Sequence, residues 1–192
     1  MRNKYYTGVG HRSRNMTKEG GEFATWLALQ MHSLGYTLLS GDADGIDSKF
    51  EQGSKGLNRI YLPNKSFGHY PGRDMSTRVL LNEVERDFAF KILSEEGLLP
   101  EIVGMKSYNQ QYHLRNFFQS WNYGDLPEVC FYYAKESPGG VIEGGTRTAV
   151  YTARFYGIPT YNFYTEEGRE AIREFLTSGK LCGMGTSQVE FI

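Results

Sequence analysis

Short apolar runs alternate along the chain with longer segments whose apolar residues recur every three or four positions. That alternation predicts β-strands joined by amphipathic helices. Residues 5–7 predict a buried strand ending at Gly8. Over 18–34, Phe23, Trp26, Leu27, Met31 and Leu34 fall at helical spacing, and Gly35 stands where helices commonly close. Residues 36–39 predict a second strand, 40–45 a turn, and 46–53 a helix. A third strand at 59–62 stops at Pro63. Residues 64–79, broken by Gly68, Pro71 and Gly72, predict no regular element. Helices follow at 81–95, with Val84, Phe88 and Ile92 on one face, and at 108–121, with Tyr112, Leu114, Phe117, Phe118 and Trp121. A fourth strand at 129–134, a helix at 146–156 with small Ala149 and Ala153, a fifth strand at 160–163 and a helix at 167–176 complete the pattern.

Strands alternating with helices imply right-handed βαβ units and a parallel sheet. The expected fold is α/β: a Rossmann-like parallel sheet of about five or more strands, with helices on both faces. One domain is expected over 1–179. Within it, 64–125 supplies an irregular loop and two helices before the fourth strand, and 180–192 forms a tail.

Charge narrows the function classes. The net charge is −1 and the pI about 6.4, which argues against broad, sequence-independent nucleic-acid binding. Cys130 and Cys182 lack metal-type spacing and fit a reduced, cytoplasmic setting. The opening residues have no apolar h-region, and no apolar run reaches the ~18 residues of a membrane span. His11, His32, His69 and His113 show no ligand spacing, so neither a metal nor a cofactor is expected. Aromatic residues make up 15% of the chain. They serve packing, nucleobase stacking or an oligomer interface, and a homo-oligomer is expected.

In an open α/β sheet, ligands sit beyond the carboxyl ends of the strands. Four segments should meet there. Gly8, Gly10, His11 and Arg12 follow the first strand, where glycines let a phosphate approach and the cations pair with it; a polar turn explains the segment equally well. Ser40, Gly41, Asp44 and Asp47 follow the second strand. Asp47 is either a helix cap or a carboxylate for ribose hydroxyls. Arg115 and Asn116 lie on an aromatic helix, and Arg115 either is solvated or reaches a phosphate. Between Pro138 and Thr146, four glycines fall within seven residues. Gly144, Gly145 and Thr146 open a helix, where unpaired N–H groups and the helix dipole favour an anion. A base would stack on Phe67 or Tyr70. Glu143 and Asp47 are the carboxylates available for catalysis, should the protein be an enzyme.

Taken in order, Ser40-Gly-x-Ala43-x-Gly45-x-Asp47, Leu62-Pro63, Arg115-Asn116-x-x-Gln119, Gly144-Gly145-Thr146-x-x-Ala149 and Gly157-Ile158-Pro159-x-Tyr161-Asn162 form a recognisable set. The set resembles the SLOG superfamily, which joins the Smf/DNA-processing protein A family with the "lonely guy" phosphoribohydrolases. It is most similar to small single-domain members common in bacteriophages. The resemblance spans roughly 5–165 and implies a Rossmann-like fold with a nucleotide pocket. The phosphoribohydrolases carry PGGxGTxxE. Here the Gly-Thr pair comes four residues late and Ala149 stands in place of the glutamate. The resemblance does not fix an activity; the phosphate-binding segments and the lack of a nucleophile–base pair make the expected function a binder that sequesters a cyclic nucleotide or an ADP-ribose-type immune messenger, which in a phage, the source the resemblance implies, is an anti-defence sponge in the host cytoplasm. A nucleotide N-glycosidase using Glu143 or Asp47 is one alternative, and a single-stranded DNA-binding recombination mediator is another.

Overall fold

The computed structural model describes residues 3–67 and 75–178. Tyr70, His69, Cys182 and the tail at 180–192 lie outside the described residues. Six parallel strands form one sheet: β1 (Tyr5–Gly10), β2 (Thr37–Gly41), β3 (Asn58–Leu62), β4 (Arg78–Leu80), β5 (Val129–Tyr133) and β6 (Thr160–Asn162), in the order β4-β3-β2-β1-β5-β6. The helices are α1 (Lys18–Ser33), α2 (Ile46–Ser54), α3 (Glu83–Glu95), α4 (Ser107–Trp121), α5 (Thr146–Phe155) and α6 (Glu166–Thr177). The architecture is α/β and Rossmann-like.

Side chains along each strand alternate between the two faces. Tyr6, Leu38, Ile60 and Phe131 meet α1, α2 and α6, with Phe50 and Phe163 fully buried among them. Tyr5, Leu39 and Tyr61 meet α3 and α4, while Val9, Cys130 and Tyr132 meet α5. Each large apolar side chain buried in this way contributes about 1.5–3 kcal/mol.

The structure departs from the sequence expectations in several places. The stretch 64–79, expected to be irregular, ends in the edge strand β4, which runs on to Leu80 and pairs with β3 through Ile60–Arg78, Tyr61–Val79 and Leu62–Leu80. Three residues are too few to show an alternation. The helix expected from Leu81 starts at Glu83, because Asn82 caps it and Glu85 closes the reciprocal box. A 3₁₀ turn, Pro100–Gly104, precedes α4. Strand β1 runs on through Gly8 to Gly10, and Ser40 and Gly41 are strand residues rather than part of a turn.

The chain order of the strands reverses between β1 and β5. The His11 N–H donates to the Tyr133 carbonyl (3.0 Å), continuing the β1–β5 pairing one residue past the strands. Beyond it the segments after β1 and β5 diverge and leave a crevice at the switch point.

Candidate functional site

That crevice is a cleft of about 260 Å³ lined from four directions: Gly10 to Asn15 after β1, Ala43 and Asp47 at the start of α2, Tyr112 to Gln119 on α4, and Gly144 to Thr146 at the start of α5. Arg115 forms its most unusual wall. The side chain is 5% exposed, yet its guanidinium has one carboxylate partner, Asp47 Oδ2, at a long 3.4 Å from Nη1. Among the described residues the Nε–H has no partner. With its amide oriented to match donors with acceptors, Gln119 accepts from Arg115 Nη1 (2.8 Å) and from the Gly41 N–H (2.6 Å) and donates to Asn116 Oδ1 (3.1 Å). Arg115 also lies over the Phe67 ring, 5.6 Å from its centre. Its position depends on Gly41, since any Cβ there would collide with Nη1.

Asp47 sits in the first turn of α2. Its Oδ1 accepts from the Gly10 N–H (3.2 Å), so it ties the end of β1 to α2. Burial raises the carboxyl above its ordinary range, and the Arg115 guanidinium pulls it back down. Arg115 is lowered by the same burial and raised by Asp47, and arginine stays charged throughout.

The opening of α5 is built for close approach. No side chain caps the helix, and Gly145 stands at its N-cap. The Thr148 N–H donates back to the Gly145 carbonyl (3.2 Å), and the N–H groups ahead of it in the first turn have no carbonyl one turn earlier in the helix to bond. Gly144 has φ +76°, a left-handed conformation that glycine adopts freely, and the space a side chain would take there is open. Asn116 Nδ2 donates to the Gly145 carbonyl (2.8 Å), and Ser120 Oγ donates to the Ala149 carbonyl (2.7 Å). Helix α4 thus holds α5 through these two bonds and through the contact of His113 Nδ1 with the Thr148 hydroxyl (2.7 Å), while Arg115 faces the cleft.

His11 is half-buried, edge-on to Tyr133 and Tyr164 at 6.0 Å, and its Nδ1 is buried without a partner. Burial lowers its basicity, with the Asn15 backbone and, more weakly, Glu143 pulling the other way. Arg12 is exposed at the mouth.

The structure brings Gly10, His11, Arg12, Asp47, Arg115, Asn116, Gly144, Gly145 and Thr146 to one cleft. Gly8 and Ser40 lie elsewhere. A Cβ on Gly8 would stand 2.7 Å from the Phe50 ring, so this glycine serves packing, and the Ser40 hydroxyl donates to the Gly8 carbonyl at 2.6 Å. Asp44 is exposed and accepts from the Ser13 hydroxyl, which braces the turn after β1. Gly41 serves the site indirectly, by admitting Arg115. Glu143 is on the surface, 4.0 Å from Lys135, with both side chains more than 60% exposed. The four glycines divide. Gly139 and Gly140 make the tip of a small hairpin closed by Ser137 N–H to Val141 O (3.0 Å), and Gly144 and Gly145 reach the cleft. Sequence reasoning left out Gln119 as a site residue, although it lies one helical turn beyond Arg115. It also left out Tyr112, one turn before.

The fold and cleft define a Rossmann-like α/β protein with a cationic, glycine-lined cleft at its switch point. No protein-family model and no curated protein matches the chain. Among solved structures it is similar to DNA processing protein A from Helicobacter pylori, described for its single-stranded DNA binding mode, with TM-score 0.54 and 13% identity over 96% of this chain and 77% of that one. It is also similar to the Moco carrier protein of Chlamydomonas rheinhardtii, with TM-score 0.51 and 16% identity over 93% and 87% of the two chains. At these identities the likeness is one of fold. Among the described residues, no helix is long and apolar enough to cross a membrane, and no group of three or more His, Cys, Asp or Glu could hold a metal.

Proposed function

We propose that this protein binds a phosphate-bearing, nucleotide-derived ligand in the cleft and holds it without reaction. The observation that carries this reading is the buried Arg115, with an unpartnered Nε–H, facing the same cleft as the uncapped first turn of α5. A buried guanidinium with one long carboxylate contact and a donor unmet is costly, and a phosphate in the cleft would supply a second counter-charge and, with a small movement of the side chain, the missing acceptor. It would also accept from the first-turn N–H groups ahead of Thr148 and from the Thr146 hydroxyl.

Binding without turnover is supported by where the carboxylates stand. Asp47 is engaged by Gly10 and Arg115, and Glu143 is on the surface beside Lys135. Neither is placed as a free base. A protein that captures a cyclic nucleotide or an ADP-ribose-type messenger intact acts as a sponge for that signal, and in a phage this would be an anti-defence role.

The test is to incubate the protein with nucleotides, cyclic dinucleotides and ADP-ribose derivatives, remove free ligand, denature, and identify what is released by mass spectrometry. Release of an intact ligand supports the reading. Release of a cleaved one, with cleavage abolished by Glu143→Gln, replaces it with the hydrolase. Retention of single-stranded DNA alone, with a steep salt dependence, replaces it with the DNA-binding alternative.

A further inference from the structure

One helical turn before Arg115, the Tyr112 ring forms the cleft wall on the mouth side, with the Arg12 guanidinium over it. Tyr112 is fixed from behind. The Phe67 ring meets it edge-on at 5.6 Å, and the Tyr108 and Tyr112 hydroxyls are hydrogen-bonded at 2.5 Å. The loop carrying Phe67 is itself held to α4 by Asn64 Nδ2 donating to Gln111 Oε1 (3.2 Å). Arg12 differs. Its long side chain is exposed at the mouth of the cleft.

The Arg12 Cζ stands 5.8 Å from the centre of the Tyr112 ring. A planar group inserted between them needs two van der Waals layers, roughly 7–8 Å in all. The gap between the two faces is thus at least one to two ångströms short of admitting a flat ring, and an exposed arginine can open it. Tyr112 and Arg115 lie three residues apart on α4, so the platform stands roughly 5 Å along the helix from the phosphate floor. A ribose can span that separation.

Resting on the phosphate reading above, we propose that Tyr112 and Arg12 form a clamp that takes a nucleobase flat between ring and guanidinium. Tyr112 is the fixed jaw and Arg12 the moving one. The clamp makes the cleft selective for nucleoside phosphates over bare phosphates. Stacking of this kind tolerates every base, because each has a π face, and arginine adds a cation–π contribution.

Calorimetric titration of ADP and of inorganic pyrophosphate into the wild type, Tyr112→Ala and Tyr112→Phe tests this. In the wild type, ADP binds tenfold to a hundredfold tighter than pyrophosphate. Tyr112→Ala brings the ratio close to one, while Tyr112→Phe, which keeps the ring, keeps the ratio. Equal binding of the two probes to the wild type overturns the clamp and leaves the phosphate site standing. So does a ratio that survives Tyr112→Ala. Binding of neither probe overturns the phosphate reading and the clamp with it. A loss of folding in Tyr112→Ala is recognised by circular dichroism. In that case Arg12→Ala, at an exposed position, must lower the ratio at least threefold, and an unchanged ratio overturns the proposal.

Discussion

The Arg115 guanidinium occupies the space where a side chain on Gly41 would begin. Gly41 ends β2 and Arg115 lies on α4, 74 residues later in the sequence. The glycine exists to let a buried cation cross the sheet end and face the cleft. Gly41→Ala should therefore displace Arg115, with an overpacking cost of about 1–3 kcal/mol and loss of pyrophosphate binding. Gly104→Ala is the control, since nothing lies within 4 Å of a Cβ there. It should change stability by less than about 0.5 kcal/mol. Urea denaturation with an unchanged slope reads both.

The buried Asp47–Arg115 pair should behave as a unit. Asp47→Asn leaves the guanidinium uncompensated, and Arg115→Met leaves a buried carboxylate. Each single change should cost about 3–5 kcal/mol. The double variant removes both buried charges of this pair, and its amide oxygen still accepts from the Gly10 N–H. It should be more stable than either single variant, as a double-mutant cycle in urea will measure. In Arg115→Met alone, the raised carboxyl takes up a proton readily, so its deficit should shrink as pH falls from 7 toward 5.

Asn116 aims the α5 opening through its bond to the Gly145 carbonyl. Asn116→Ala should cost about 1 kcal/mol of stability. It should also weaken pyrophosphate binding about tenfold, because the turn at 144–146 loses its brace. Asn116→Asp keeps an acceptor but not the donor and should behave like the alanine variant in the binding titration.

His113 sets an acid limit. Burial and the nearby Arg147 push it from 6.5 down to about 4, and its Nδ1 contacts the Thr148 hydroxyl at 2.7 Å. The unfolded chain thus binds the proton more readily than the folded one. Its contribution is intact above pH 6.5 and is lost as pH falls toward 4. Thermal unfolding at pH 7 and at pH 5 should show a smaller acid loss for His113→Gln than for the wild type.

The sheet and most helices were legible because their apolar periods are long and end at Gly35, Pro63 and Gly157. Strand β4 was not, since three edge residues carry no period. Glycines at helix starts identified the α5 opening, yet composition could not separate Gly139 and Gly140, which turn a hairpin, from Gly144 and Gly145, which face the cleft. Gly8 reads as a phosphate glycine in sequence because its reason, the Phe50 ring, arrives from α2. The role of Gln119 depends on a partner in β2, a contact that exists only after folding.

The most direct measurement is a calorimetric titration of pyrophosphate into the wild type and into the Asp47→Asn, Arg115→Met double variant, with folding of both checked by circular dichroism. Saturable binding to the wild type and none to the folded double variant is the expected result. Binding of equal strength to both, or none to the wild type, would contradict the phosphate reading.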